Sequence, residues 1–318
     1  MSVDYAVVIP TTGRASLRVL LDALADGSGP PPREVIVVDD RPNPATELST
    51  SDGARVLRTG GRGPAAARNA GWRAASAAWI AFLDDDVVPA PDWKTRLVKD
   101  VGDLPPEVAG SQARITVPLP ADRKPTDWER GTAGLMTGRW ITADLAYRRE
   151  VLDRVGGFDE RFPRAYREDA ELALRVQAAG YRIVPGERET THPVRDSGFL
   201  ASLQTQRGNA DDALMHRLFG PGWRSKIGAH PGRLRWHAAT TAAGAAAVLF
   251  GLLGRRRAAL LAGSAWAGLT AHFAYLRIAP GPGTADEVAR MVVTSIAIPP
   301  AACLHRLRGE LRHRVIRR

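Results

Sequence analysis

The chain is 318 residues long with a single cysteine, Cys303, which excludes an internal disulfide framework. Its 44% apolar content is ordinary for a globular protein and excludes a chain too polar to build a core. The net charge of +10 is unevenly placed: residues 1–205 carry 27 Lys and Arg against 29 Asp and Glu, and residues 206–318 carry 17 against 5. The basic excess therefore belongs to the C-terminal third and predicts attraction to an anionic surface. The opening "MSVDYAVVIPTTGR" has no basic region followed by a long apolar stretch, so no signal peptide is expected. With the lone cysteine, this favours the cytoplasm.

"YAVVIP" (5–10) reads as a buried strand, short, β-branched and ended by proline. Leu17, Leu20, Leu21 and Leu24 at helical spacing predict a helix over 15–26, stopped by "GSGPPP". "REVIVVDD" (33–40) repeats the strand pattern and ends in Asp39 and Asp40; "ARVLRT" (54–59) is a shorter strand. An alanine-rich helix over 63–76 opens with Gly-Pro, and "AWIAFL" (78–83) is the next strand. A helix over 92–101 and a strand over 109–119 follow, and the polar residues 120–135 read as a loop near the site. Residues 138–162 read as strand, short helix and glycine stop, and 168–184 as a helix ended at Gly180 and then a strand.

Strand and helix alternate, which predicts an α/β sheet with mostly parallel strands. Ligands bind at the carboxyl ends of the strands in such sheets. Asp39, Asp40 and the run Asp84, Asp85, Asp86 all fall at that edge. Hard cations such as Mg²⁺ and Mn²⁺ take oxygen ligands and share them with substrate phosphates. Carboxylates at a strand end therefore suit a cation bridging to a diphosphate; the bland alternative is a solvated acidic turn. Glu168 and Asp169 open the later helix, where a carboxylate is favoured as a plain cap. The functional alternative is a general base taking a proton from an attacking hydroxyl.

Five stretches occur in order over residues 5–192: "VVIPTTGR", "VIVVDD", "GPAAARNAGW", "IAFLDDDVVP", and "GGFDERF" with "EDAELALRVQAAGYRI". With these the chain resembles a family 2 glycosyltransferase of the GT-A fold. The resemblance implies a mostly parallel sheet flanked by helices and an inverting, metal-dependent transfer of a sugar from a UDP-, GDP- or dTDP-sugar donor. By position it implies that Pro10, Thr11 and Arg14 line the nucleotide pocket and that Asp39 contacts the base. Arg68 and Asn69 would face the nucleotide, Asp84 the donor, with Asp85 beside it. Asp86 would be the principal carboxylate for Mn²⁺ or Mg²⁺, and His192 falls where some relatives supply a metal-binding histidine. Asp169 would be the base and Glu168 would help place the acceptor. Related membrane synthases carry Gln-x-x-Arg-Trp; here Gln204 and Arg207 are followed by Gly208, which favours single addition over polymerisation.

Residues 238–254 and 258–276 are uncharged for 17 and 19 residues, near the length that spans a bilayer, with Arg255–Arg257 between them. A spanning hairpin would place those arginines outside, against the positive-inside tendency, whereas an in-plane hairpin sets them at the headgroups. The stretch from residue 289 to the basic end resembles a lipid anchor more than an ordered domain. The expected organisation is a catalytic domain over 1–205, a linker over 206–235 and a helical, membrane-associating extension over 236–318. The expected acceptor is a cell-envelope or lipid-linked glycan at the cytoplasmic face of the membrane. Rival readings are a degenerate scaffold on the same fold and a sugar nucleotidyltransferase. "PTTGRAS" lacks the glycine-rich basic loop of the latter. Nucleic acid is not an expected partner, because aromatic side chains are not interleaved with the basic tail.

Overall fold

A computed structural model describes residues 3–50 and 53–314. The chain divides into two compact units, Met1–Pro118 with Ala133–Val194, and Leu119–Thr132 with Arg195–Arg318.

The first unit begins with β1 (Tyr5–Thr11), α1 (Ser16–Asp26), β2 (Glu34–Asp39), β3 (Ala54–Arg58), α2 (Pro64–Ala74) and β4 (Trp79–Leu83). A two-residue β5 (Val88–Pro89), α3 (Trp93–Gly102) and β6 (Val108–Thr116) follow. The chain then passes through α4 (Asp127–Ala133) of the second unit. It returns as β7 (Asp144–Arg148), α5 (Arg149–Val155), α6 (Glu168–Ala178) and β8 (Arg182–Thr191).

One eight-stranded sheet has the order β3-β2-β1-β4-β7-β6-β8-β5. β1 is parallel to β2 and β4, and β2 to β3. β7 runs antiparallel to β4 and β6, β6 is parallel to β8, and β5 is antiparallel to β8. Every residue of β1 and β4 is buried, as expected of uniformly apolar strands covered on both faces. On one face, Leu17, Leu20, Leu21 and Leu24 of α1 and Trp93, Leu97 and Val101 of α3 cluster with Val7, Ile9, Val37, Ala81 and Leu83. On the other, α2 lies so close that a methyl group at Gly71 would meet Val8 Cγ1 at 2.3 Å. These two layers fix the carboxyl ends of β1, β2 and β4 at one edge. The reversal of β7 sets Asp144 opposite Leu83, so the start of β7 joins that edge.

Two expectations change here. The strand within 138–162 begins only at Asp144, after a loop in which Trp140 takes a left-handed φ of 61°. The segment 120–135 is not all loop. Thr126 Oγ1 accepts from Glu129 N at 3.2 Å, and Thr126 N donates to Glu129 Oε2 at 2.7 Å, a capping box that starts α4.

The second unit adds α7 (Ala201–Gln204), α8 (Gly208–Phe219), α9 (Trp223–Lys226), α10 (Leu234–Leu252), α11 (Arg256–Ile278) and α12 (Ala285–Arg312). Close approaches at small residues pack these helices. A methyl group at Gly244 would meet Trp266 Cδ1 at 2.9 Å, and one at Gly309 would meet the Ala210 carbonyl at 2.6 Å. The stretch expected to be an anchor is instead an ordered helix, α12, with Met291, Thr294, Ser295, Ile298 and Ala302 buried; the extreme end, 315–318, lies outside the described residues. Among the described residues, α12 is the one helix long and apolar enough to cross a membrane. α10 and α11, the helices over the hairpin expected at 238–276, are rich in Ala, Gly and Thr and fall short of that hydropathy.

Candidate active site

The carboxyl edge of the sheet gathers the acidic residues. Strand β4 ends in a turn whose three aspartates diverge. Asp84 N donates to the Ala143 carbonyl at 3.2 Å, tying the turn to the loop before β7. Its carboxylate accepts from Arg68 Nη2 at 2.7 Å. Asp85 turns inward and accepts from Thr11 Oγ1 at 2.6 Å and from Arg14 Nη1 at 2.5 Å. Asp86 faces His192, with Oδ1 3.6 Å from Nε2. His192 sits just past the end of β8, its backbone N donating to the Thr116 carbonyl at 2.8 Å.

Arg68, buried on α2, joins two parts of the sequence. Its Nη1 donates to Glu168 Oε1 at 2.8 Å while Nη2 holds Asp84. A single guanidinium thus sets the start of α6 beside the end of β4. Burial pulls Arg68 down, but the Asp84 and Glu168 charges outweigh it and hold the guanidinium above its usual range. Arg68 Nε and Glu168 Oε2 are buried without hydrogen-bond partners among the described residues. Such orphans call for a ligand or an unusual protonation state.

Glu168 and Asp169 follow Arg167, whose φ of 78° is uncommon for a residue with a side chain. Burial and the neighbouring Asp169 charge push Glu168 up to about 8, with Arg68 opposing them. Burial also raises Asp169, against a hydrogen bond from Ala170 N at 2.7 Å. The buried hydroxyl of Tyr147 on β7 has no partner among the described residues, and burial, with the Asp169 charge, raises its pKa. Tyr147 belongs to this group and was not anticipated; its only signal was a polar tip within an apolar strand.

Five expected site residues turn out to face the protein. Asn69 donates to the Phe158 carbonyl at 2.9 Å and to Glu160 at 3.0 Å, and accepts from Phe158 N and Trp72 Nε1. Its amide fastens the "GGFDE" turn to α2. Asp85 holds β1 and Arg14 in place, and Thr11 Oγ1 is taken by Asp85. Pro10 is buried in β1, paired with Val38. Asp39 is buried too, and Arg41 grips both of its oxygens.

Residues 6–158 match the sequence family described as Glycosyl transferase family 2. The chain carries a family 2 glycosyltransferase domain with the GT-A fold. The chain is 31% identical over 199 residues to the pre-mycofactocin glycosyltransferase of Mycobacterium tuberculosis, an alignment covering 57% of this chain and 40% of that protein. It is 27% identical over 218 residues to glycosyltransferase AglE of Haloferax volcanii, covering 64% of this chain and 71% of that protein. The mannosyltransferase PcManGT of Pyrobaculum calidifontis, solved with GDP-Man and Mn²⁺, superposes with a TM-score of 0.55 at 19% identity. That superposition covers 96% of this chain and 88% of the mannosyltransferase, a likeness of fold.

Proposed function

We propose that the protein transfers a sugar from a nucleotide-sugar donor to a hydroxyl acceptor, with inversion at the anomeric carbon. The observation that carries this reading is the Arg68 bridge, which brings the donor-side Asp84 and the Glu168–Asp169 pair to one place. In the transfer, the acceptor oxygen bonds to the anomeric carbon as the bond from that carbon to the diphosphate oxygen breaks. Asp169 takes the hydroxyl proton. Burial and the Asp169 charge push Glu168 up to about 8, so Glu168 holds its proton at neutral pH beside the base. The orphaned Glu168 Oε2 is then free to contact the acceptor.

Asp86 and His192 fit a divalent cation such as Mn²⁺ or Mg²⁺. His192 Nδ1 lies 3.1 Å from the Pro193 carbonyl, so a proton there turns the Nε2 lone pair toward Asp86. Two lone pairs facing each other at 3.6 Å suit a shared cation. Among the described residues no group of three or more His, Cys, Asp or Glu could hold a metal alone, so phosphate oxygens and water would complete the shell. A cation held there supplies Lewis-acid stabilisation of the departing diphosphate.

The acceptor is a cell-envelope or lipid-linked glycan and the addition single, because Gly208 stands where the polymer synthases carry tryptophan. The helical unit supports membrane association at the cytoplasmic face. Leu252, Leu253, Leu260 and Leu261 are exposed beside Arg255–Arg257, and no Asp or Glu occurs between residues 213 and 285. Flotation with vesicles tests this: anionic vesicles carry the protein up, and Arg255, Arg256 and Arg257 changed together to serine weakens binding by about 1 kcal/mol each. Equal recovery at the bottom with and without anionic vesicles contradicts it. The activity itself is tested by release of nucleoside diphosphate from UDP-, GDP- and dTDP-sugars with Mn²⁺ or with chelator. One donor is turned over with Mn²⁺; turnover of none by the folded protein contradicts the reading.

A further inference from the structure

The hairpin of α10 and α11 is covered by protein only at its open end. There the His237 and Phe273 rings meet at 5.0 Å, and Thr240, Thr270, Ala274 and Arg277 are buried. Arg277 Nη1 donates to Thr294 Oγ1 at 2.8 Å and to Ser295 Oγ at 3.1 Å, both on α12. α12 is tied down at that level, running between α4 and α8. Near its start Asp127 N donates to Glu287 Oε1 at 2.7 Å, and near its end Gly309 lies against the Ala210 carbonyl. Beyond the open end, no residue of α10 after Thr240 and none of α11 before Thr270 is buried.

The polarity of this hairpin is inverted. Its buried positions are largely polar, whereas Val248, Leu249, Leu252, Leu260 and Leu261 on the free part are exposed. Residues 241–254 and 258–271 hold no charged side chain, and their hydroxyls are those of Thr241, Ser264 and Thr270. Helices draw most of their stability in water from packing an apolar face, and the free part has nothing packed on it but its own partner helix. A helix lying in the membrane plane turns a strongly polar face to water, and these two have none. A helix apolar all round is one that is surrounded.

The dimensions fit a bilayer. α10 has 19 residues and α11 has 23, about 28 and 34 Å at 1.5 Å per residue against a hydrocarbon core of ~30 Å. The shortfall in hydropathy comes from Ala and Gly rather than from charge, and small residues are what let helices meet in lipid. Trp266 fits against Gly244, and a methyl group at Gly263 would meet Ala247 Cβ at 3.9 Å. Exposed Trp236 and Tyr275 mark the open end and exposed Arg255–Arg257 the closed end, the residue types that sit at the two interfaces. Arg224, Lys226, Arg233, Arg235, Arg277 and Arg290 lie on the open-end side and outnumber the three arginines of the closed end, so the open end is cytoplasmic.

We propose that α10 and α11 cross the bilayer as a hairpin, with lipid acyl chains covering the free part and Arg255–Arg257 among the headgroups of the far leaflet. This rests on the membrane-association reading above and goes beyond it, from contact with one face to a crossing.

The test uses the full chain expressed in bacteria, with Cys303→Ser removing the native thiol. Arg256→Cys is placed at the closed end and Asp286→Cys on the open-end side. A membrane-impermeant maleimide is applied to spheroplasts before and after permeabilisation. The Arg256→Cys protein is labelled before permeabilisation and the Asp286→Cys protein only after it. The unaltered protein, which needs no variant to fold, stays in the membrane pellet through alkaline carbonate. If both variants are labelled only after permeabilisation and carbonate releases the protein, the hairpin lies on one face; the crossing fails and membrane association stands. Recovery of the unaltered protein in a detergent-free soluble fraction overturns both, and a dimer there makes a second copy the cover of the hairpin.

Discussion

Two buried arginines of the sheet unit make an instructive pair. Arg188 on β8 donates from Nε to Asp144 at 2.8 Å, from Nη1 to Asp100 at 2.9 Å and Ser111 Oγ at 3.0 Å, and from Nη2 to the Ser111 carbonyl at 2.7 Å. Asp144 is completed by Trp93 Nε1 and Thr190 Oγ1. Every nitrogen of that guanidinium has a partner. Arg68 on α2 also bridges two carboxylates, yet its Nε and the Glu168 Oε2 beside it have none among the described residues. Both clusters withdraw charge from water at a cost that only full hydrogen bonding offsets. The saturated cluster is structural; the unsaturated one is where a substrate completes the set.

That contrast can be broken in four ways, from the largest effect to the smallest. Asp169→Asn removes the base and lowers kcat by ~10²–10⁴-fold in steady-state assays, with little change in Tm. Near-normal turnover would sink the base assignment. Arg188→Met leaves Asp144 and Asp100 buried without their cation and destabilises the fold by about 3–5 kcal/mol in urea unfolding. The molecules that fold keep their nucleotide affinity, whereas Arg68→Met loses turnover even when folded; identical behaviour of the two would erase the distinction. His192→Ala weakens Mn²⁺ binding to the nucleotide complex by roughly 10–100-fold in calorimetry, taking the loss from a supporting ligand as the scale. Unchanged metal affinity would leave His192 as a packing residue.

The smallest effect is in pH dependence. Burial raises Asp169, so the acid limb of kcat lies above the ordinary aspartate value of about 4. Glu168, pushed up to about 8, is protonated and neutral across that limb, so Glu168→Gln exchanges one neutral group for another and leaves the limb in place. A limb that moves to lower pH contradicts this, because Glu168 is then ionised beside Asp169.

Much of this was legible in the residues. Apolar runs ending in aspartate located the strands and the edge at which they end, and helical spacing of leucines located α1. Strand direction was not legible, because an apolar run reads the same for β7, which is antiparallel, as for its parallel neighbours. The capping box at Thr126 and Glu129 was a readable signal passed over in a polar stretch. Side-chain commitments were the hardest part. Asn69 looked like a ligand contact, but its partner Phe158 is 89 positions away, and only the fold brings the turn after α5 against α2. Arg41 is two residues from Asp39, yet nothing in "DDRP" says that the guanidinium folds back over the carboxylate.

The most direct test of the central claim is calorimetric binding of UDP, GDP and dTDP to the purified protein, with and without Mn²⁺, beside the Asp86→Asn variant. The account predicts that one diphosphate binds only when Mn²⁺ is present and that Asp86→Asn loses this metal dependence. Binding of none of them by folded protein, or equal binding with and without metal, would contradict it and return the three aspartates to the role of an acidic turn.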